Sequence, residues 1–142
     1  MINMAVGPLL EDQKIICSNL ASKIRSHQEF RDPNTVKAVI SKDGFALYFS
    51  REPIPTVTVQ GFFSEISLYK QVCIIPFRRE FLLRFTRLTP TPLEIAESID
   101  MLRILEHGHQ VRMIPTQHSS HPVDTPEDLK RVAELMADLG DA

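Results

Sequence analysis

The chain has 142 residues, 43% of them hydrophobic and 24% charged, with a formal net charge of -2. That length suffices for a domain with a real core, so residues 1–142 read as one domain, and the nearly balanced charge, with Lys and Arg spread rather than clustered, gives no footprint for nucleic acid. The longest apolar runs, such as residues 72–77, are far too short to span a bilayer and no charged-then-apolar leader opens the sequence, which points to a cytoplasmic location and no membrane partner.

In chain order, Leu9, Ile15, Ile16, Leu20 and Ile24 keep a helical period, and residues 11–28 contain neither Gly nor Pro, so an amphipathic helix is predicted there. Residues 35–40 and 45–50 are β-branched or aromatic runs split by Ser41-Lys42-Asp43-Gly44, the signature of a hairpin. Pro53 and Pro55 end the second strand, and residues 69–76 read as a further buried strand. A short helix over 78–84, a longer one over 92–107 stopped by Gly108, and a strand over 110–114 follow. Residues 56–66 and 115–123 read as loops. Cys17 and Cys73 fall in a predicted helix and a predicted strand without CxxC spacing, which suggests buried thiols rather than a bridge or a metal site.

The last helix carries the sharpest local signal. Thr125 is a good N-cap, Pro126 suits the first helical position, and Glu127 and Asp128 complement the positive helix end. Leu129, Val132, Leu135, Met136 and Leu139 then recur at helical spacing and predict an apolar face that packs and fixes the first turn. Asp124 stands just before this start, placed either as a hard-cation ligand or as part of the cap. His118, His121 and Asp124 make a two-histidine, one-carboxylate set on paper, but they lie on a loop without the i, i+4 spacing of a helical site. His107 and His109 flank Gly108, where an imidazole at a helix C-terminus is explained by the helix dipole. No Ser/His/Asp or Cys/His constellation supports nucleophilic catalysis.

Several ordered blocks carry a resemblance. Asp32-Pro33-Asn34-Thr35-Val36-Lys37 is followed by Asp43-Gly44-Phe45-Ala46-Leu47-Tyr48-Phe49 and by Ser50-Arg51-Glu52-Pro53-Ile54-Pro55. Phe77-Arg78-Arg79-Glu80-Phe81-Leu82, Pro90-Thr91-Pro92-Leu93-Glu94 and Val123-Asp124-Thr125-Pro126-Glu127-Asp128-Leu129 come next. In this order they resemble the C-terminal part of the CMP-Kdo synthetases, cytidylyltransferases that activate an eight-carbon acidic sugar with CTP and Mg²⁺. The resemblance implies an α/β fold, a mixed sheet with flanking helices, as a truncated Rossmann-like nucleotide-diphospho-sugar transferase. It assigns Arg51 to the sugar carboxylate, where the plainer alternative is a surface ion pair. It assigns Glu94 and Glu97, three apart on one helix face, to sugar hydroxyls, the alternative for Glu94 being the helix dipole. Asp124 becomes a possible Mg²⁺ ligand, and the family's use of this half in dimers implies a homodimer.

The departures are as specific. Gln71 and Ile75 stand where the family strand has His and Tyr, so Gln71 could hold a hydroxyl but could not titrate, and a satisfied strand amide is its plainer reading. Val6 and Gly7 stand where the resemblance aligns an acidic metal-binding segment, and no basic, glycine-containing loop for a triphosphate occurs in the sequence. The expectation is therefore a homodimeric sugar-binding or interaction domain, not catalytically competent alone. Self-association is expected through the strand around Val72 to Ile75 or through the helix at Glu94. The alternative is a cytidylyltransferase completed by another chain.

Overall fold

The computed structural model describes residues 1–56, 66–118, 123 and 125–140. Their elements run α1 (Ile2–Glu11), β1 (Ser18–Lys23), α2 (His27–Arg31), β2 (Lys37–Ile40), β3 (Ala46–Ser50), β4 (Tyr69–Val72), α3 (Arg79–Phe85), α4 (Pro92–Glu97), α5 (Met101–Glu106), β5 (Arg112–Thr116) and α6 (Pro126–Gly140). The strands form one mixed sheet in the order β3-β2-β4-β1-β5, with β1 and β5 parallel and the other neighbours antiparallel. The expected α/β architecture is therefore present.

Strand β1 is the centre of this arrangement and replaces the helix predicted over 11–28. Leu20 pairs with Val72 on one side and with Ile114 on the other, and the strand is buried along its length except at Lys23. Apolar residues four apart suit a helical stripe, but four is also an even number, which a strand accommodates equally well. Pairing on both edges decided between them. Helix α1 lies upstream instead, and Val6, Gly7 and Pro8 are part of it.

On one side of the sheet, Cys17, Ala21, Ala38 and Phe49 meet Phe81 of α3 and Met101, Leu102 and Ile104 of α5. On the other, Ala5 of α1 packs on Leu20 and Val72, and a third cluster joins Ile24, Phe30 and Leu68. Cys17 is buried and burial pushes its thiol up to about 12, whereas Cys73 is exposed just past the end of β4. The strand predicted over 69–76 thus stops at Val72, and the expectation that both thiols are buried fails for Cys73. β4 lies between β1 and β2, with its pairing to β2 confined to Tyr69 and Lys70.

The helix predicted over 92–107 is two helices. Ser98 adopts a left-handed conformation with φ of 53°, after which Ile99 turns into the core and α5 starts afresh. β5 runs to Thr116, so residues 115 and 116 are strand rather than loop. The start of α6 is as predicted: Thr125 N donates to Asp128 Oδ2 (3.0 Å) and Asp128 N to Thr125 Oγ1 (3.1 Å). Of the apolar residues predicted to pack, Leu129 and Met136 are 60% and 68% exposed, and Val132 is partly buried.

The β2–β3 hairpin closes through Gly44, whose φ of 78° a side chain would strain and whose Cβ would lie 2.8 Å from Arg112 Nη1. That turn also reaches across to β5: Ala46 N donates to Val111 O (2.9 Å) and Met113 N to Gly44 O (2.9 Å). Because Leu20 is fully buried at the centre of the sheet, Leu20→Ala is expected to cost about 2–5 kcal/mol, measured as a shift of the urea midpoint at unchanged m-value.

Candidate functional site

The Ser50-Arg51-Glu52-Pro53-Ile54-Pro55 segment leaves the end of β3 beside the C-terminus of α4, and polar groups from three stretches of chain converge there. Glu97 accepts from Ser50 Oγ (2.7 Å) and from Arg51 N (2.8 Å). The Arg51 side chain returns the contact: Nε donates to Glu97 O (2.8 Å), Nη2 to Ser98 O (3.3 Å) and Nη1 to Pro33 O (3.0 Å). The left-handed Ser98 thus presents its carbonyl to this guanidinium, which connects the helix break to the site.

Beneath Arg51 lies Lys37, a fully buried lysine at the start of β2. Its Nζ donates to Asp32 O (2.9 Å), Thr35 O (2.7 Å) and Arg51 O, so three backbone carbonyls receive its three protons. Burial pushes the Lys37 ammonium below the ordinary lysine range, a trend that Asp32, Glu52 and Glu97 oppose. One cation therefore ties the 32–35 loop to the Ser50–Arg51 corner.

The other sequence-assigned residues have separate partners. Glu94 faces α5, where Arg103 Nε donates to its Oε2 (2.7 Å) and Arg103 Nη2 to its Oε1, and Thr91 N also donates to Oε2 (3.2 Å). Glu94 and Glu97 share a helix but not a partner set: Glu94 joins α4 to α5, and Glu97 joins α4 to β3. Gln71 lies in β4 opposite Ala21 and donates to Asn19 Oδ1 (2.8 Å), while the buried Asn19 Nδ2 donates to Val72 O (2.6 Å). Asp124 and His121 lie outside the described residues, and among the described residues no group of three or more His, Cys, Asp or Glu is placed to hold a metal.

Sequence reasoning gave no role to Lys37, Asn19 or Arg103, although Lys37 closes the Asp32–Lys37 block that carries the resemblance. For Lys37 the other signal was a charged residue within a predicted strand; Asn19 lay within the stretch read as a helix and gave none. Register reveals a further pattern: Ser50, Lys37, Lys70, Ser22 and Thr116 are successive partners across all five strands. This polar row ends the strands on one face of the sheet, beyond Leu20 and Val72, and Lys70 in it is paired with Glu29.

The family model for cytidylyltransferases matches residues 1–133. The chain belongs to the cytidylyltransferase family. It is 40% identical over 148 residues to the 3-deoxy-manno-octulosonate cytidylyltransferase of Geotalea daltonii, covering 99% of this chain and 58% of that protein. It is 41% identical over 145 residues to the protein of the same name in Geobacter metallireducens, covering 96% and 57%. The solved structure of a CMP:2-keto-3-deoxy-manno-octonic acid synthetase complexed with CTP superposes with a TM-score of 0.86 at 32% identity, covering 96% of this chain and 55% of that one. This cytidylyltransferase chain therefore spans a little over half the length of the relatives it matches. No helix among its described residues is long and apolar enough to cross a membrane.

Two outcomes test the site's internal bonding. Lys37→Met, close in length but without the ammonium, leaves three carbonyls unanswered and is expected to lower stability by about 3 kcal/mol in urea unfolding. The Arg103 hydrogen bond holds the Glu94 carboxyl below its ordinary value of 4.5, so this contribution is complete above that value and is lost as pH falls through the lower folded one. The melting-temperature gap between the native chain and Arg103→Met should therefore persist at pH 6 and shrink on acidification below 4.5; a gap that widens in acid would refute the assignment.

Proposed function

We propose that this chain is the sugar-side and assembly portion of a CMP-Kdo synthetase-type cytidylyltransferase, which binds an acidic sugar weakly and does not transfer a nucleotide by itself. The observation that carries this reading is the extent of the match: nearly the whole chain aligns, at 40–41% identity, with enzymes of which it spans 57–58%. Transfer from CTP requires donors that cradle a triphosphate as well as groups that position the sugar, and Arg51, Gln71, Glu94 and Glu97 belong to the second set.

Arg51 is the proposed contact to the sugar carboxylate. A guanidinium has five N–H donors, and three of those on Arg51 bond to carbonyls, so two remain for a ligand while the carbonyl bonds hold the fork in place. Glu97 and Glu94 are proposed to accept from sugar hydroxyls with the lone pairs their internal bonds leave, and Gln71 to contact a hydroxyl from the strand. Asp124 is proposed as a Mg²⁺ ligand in the complete enzyme, where the metal would neutralise phosphate charge. Self-association is assigned to α4, whose Leu93 and Ile95 are 39% and 68% exposed.

A second reading, a cytidylyltransferase completed by another polypeptide, is favoured by one specific observation. α1 exposes the apolar side chains Ile2, Met4 and Leu10 on either side of its Asn3–Gly7–Glu11 row.

Incubated with CTP, Kdo and Mg²⁺, the isolated chain is expected to release no pyrophosphate above a protein-free blank, and measurable turnover would overturn the reading. Titration with an eight-carbon acidic sugar should shift NMR signals around Arg51 and Glu97. Arg51→Lys, which keeps the charge and loses the planar fork, should weaken binding about tenfold, equivalent to one charge-assisted hydrogen bond. Light scattering at micromolar concentration should give the mass of a dimer, and Ile95→Glu should return it to a monomer.

A further inference from the structure

We infer that the buried Asn19 is a positioning residue for Gln71, fixing that side-chain amide so that its oxygen is the end offered to a ligand. β4 then selects a sugar acid with a free hydroxyl several carbons from its carboxylate. Asn19 is fully buried in β1, where an amide must find partners. Register with β4 stops at Leu20 and Val72, and the Asn19 side chain serves carbonyls around that end. Its Nδ2 donates to Val72 O (2.6 Å), Leu20 O (3.2 Å) and Ile74 O (3.5 Å). With three carbonyls around one end of the amide, that end must be the nitrogen, because an oxygen there would meet only lone pairs. The other end, Oδ1, is therefore an acceptor, and Gln71 meets it with Nε2 at 2.8 Å. The remaining end of the Gln71 amide is Oε1, which accepts and cannot donate.

Register puts this acceptor in one row with Arg51. Lys37 pairs antiparallel with Ser50 of β3 and with Lys70 of β4, so β3 and β4 run in the same direction, and Arg51 and Gln71 are the next residues along each. Val36 lies between them, its carbonyl accepting from Gln71 N (2.8 Å). Two strand spacings, about 10 Å, therefore separate the two positions. Gln71 shares the sheet face of Ala21 and Phe49, on which α3 and α5 pack, and Arg51 is bonded to α4 beside α5. A guanidinium takes a carboxylate, whereas an amide oxygen takes an O–H donor and repels an anionic oxygen. A polyhydroxy acid laid along this row has its carboxylate at Arg51 and a hydroxyl at Gln71, and the reversed ligand would bring its carboxylate against Oε1. The inference rests on the sugar-site reading above and adds the polarity of the strand contact and the residue that sets it.

NMR of the full chain tests it, first without ligand. One Gln71 Nε2 proton is expected to exchange slowly with solvent. An added eight-carbon acidic sugar should move the Gln71 side-chain carbonyl carbon and leave that proton bonded. Butyrate, a carboxylate without hydroxyls, should move Arg51 signals and leave Gln71 unchanged. Gln71→Met removes the acceptor and should weaken sugar binding about tenfold, the worth of one hydrogen bond. Asn19→Ala frees the amide to turn and should weaken binding to the same extent, but should add nothing in a Gln71→Met background, an outcome that a merely structural role of Asn19 would not produce. If Asn19→Ala does not fold, the exchange measurement and the comparison of the two probes decide. Fast exchange of both Nε2 protons, a sugar-induced shift confined to the NH2 group, a Gln71 response to butyrate, or an Asn19→Ala loss that persists in Gln71→Met would each overturn the inference. No sugar binding together with a slowly exchanging Nε2 proton would instead overturn the sugar-site reading and the hydroxyl selection built on it, with the amide orientation supported.

Discussion

A lysine ammonium buried away from solvent holds together the most informative part of this fold. Desolvating a charge is costly, and it is tolerated where fixed dipoles replace the lost water. Lys37 meets that condition with three backbone carbonyls from segments on either side of β2. Those segments have no regular secondary structure to hold them, so the cation sets their separation. Arg51 and Glu97 extend the same principle outward, each using the other's main chain as well as its side chain. The corner at the end of β3 is therefore defined by polar bonding rather than by apolar packing, and a ligand approaching it would meet donors already held in place.

Much of this was legible in the sequence where local chemistry decides local structure. The hairpin, the Gly108 stop and the Thr125 cap each depend on residues within a few positions of one another, and all three formed as read. Failures occurred where distant partners decide. β1 was mistaken for a helix because its apolar spacing suited both periods and its strand identity comes from β4 and β5, about fifty and more than ninety positions away. The break at Ser98 was invisible for a related reason: neither Gly nor Pro marks it, and the carbonyls it exposes are taken by Arg51.

The candidate residues show the same division. Arg51, Glu94, Glu97 and Gln71 were singled out individually, and each proved to be polar and engaged. Their partners were not readable, because Asn19, Lys37 and Arg103 come from other elements. Spacing placed Glu94 and Glu97 on one helix face, which is correct as geometry, but the elements that flank α4 give them different tasks. A triplet spacing fixes direction to within a fraction of a turn, and neighbouring elements settle the rest.

The contact of Gly44 and Ala46 with β5 has a consequence of another kind. An unpaired strand margin is a template on which further chains can add, and five-stranded open sheets normally leave two such margins. Here the turn between β2 and β3 folds over the start of β5, and Pro115 interrupts the donors farther along that strand. One margin is thereby closed by the molecule's own backbone. In a crowded solution, this fold is defended along β5 against runaway cross-chain growth of the kind that produces fibrils, and the defence costs it only a glycine and a proline.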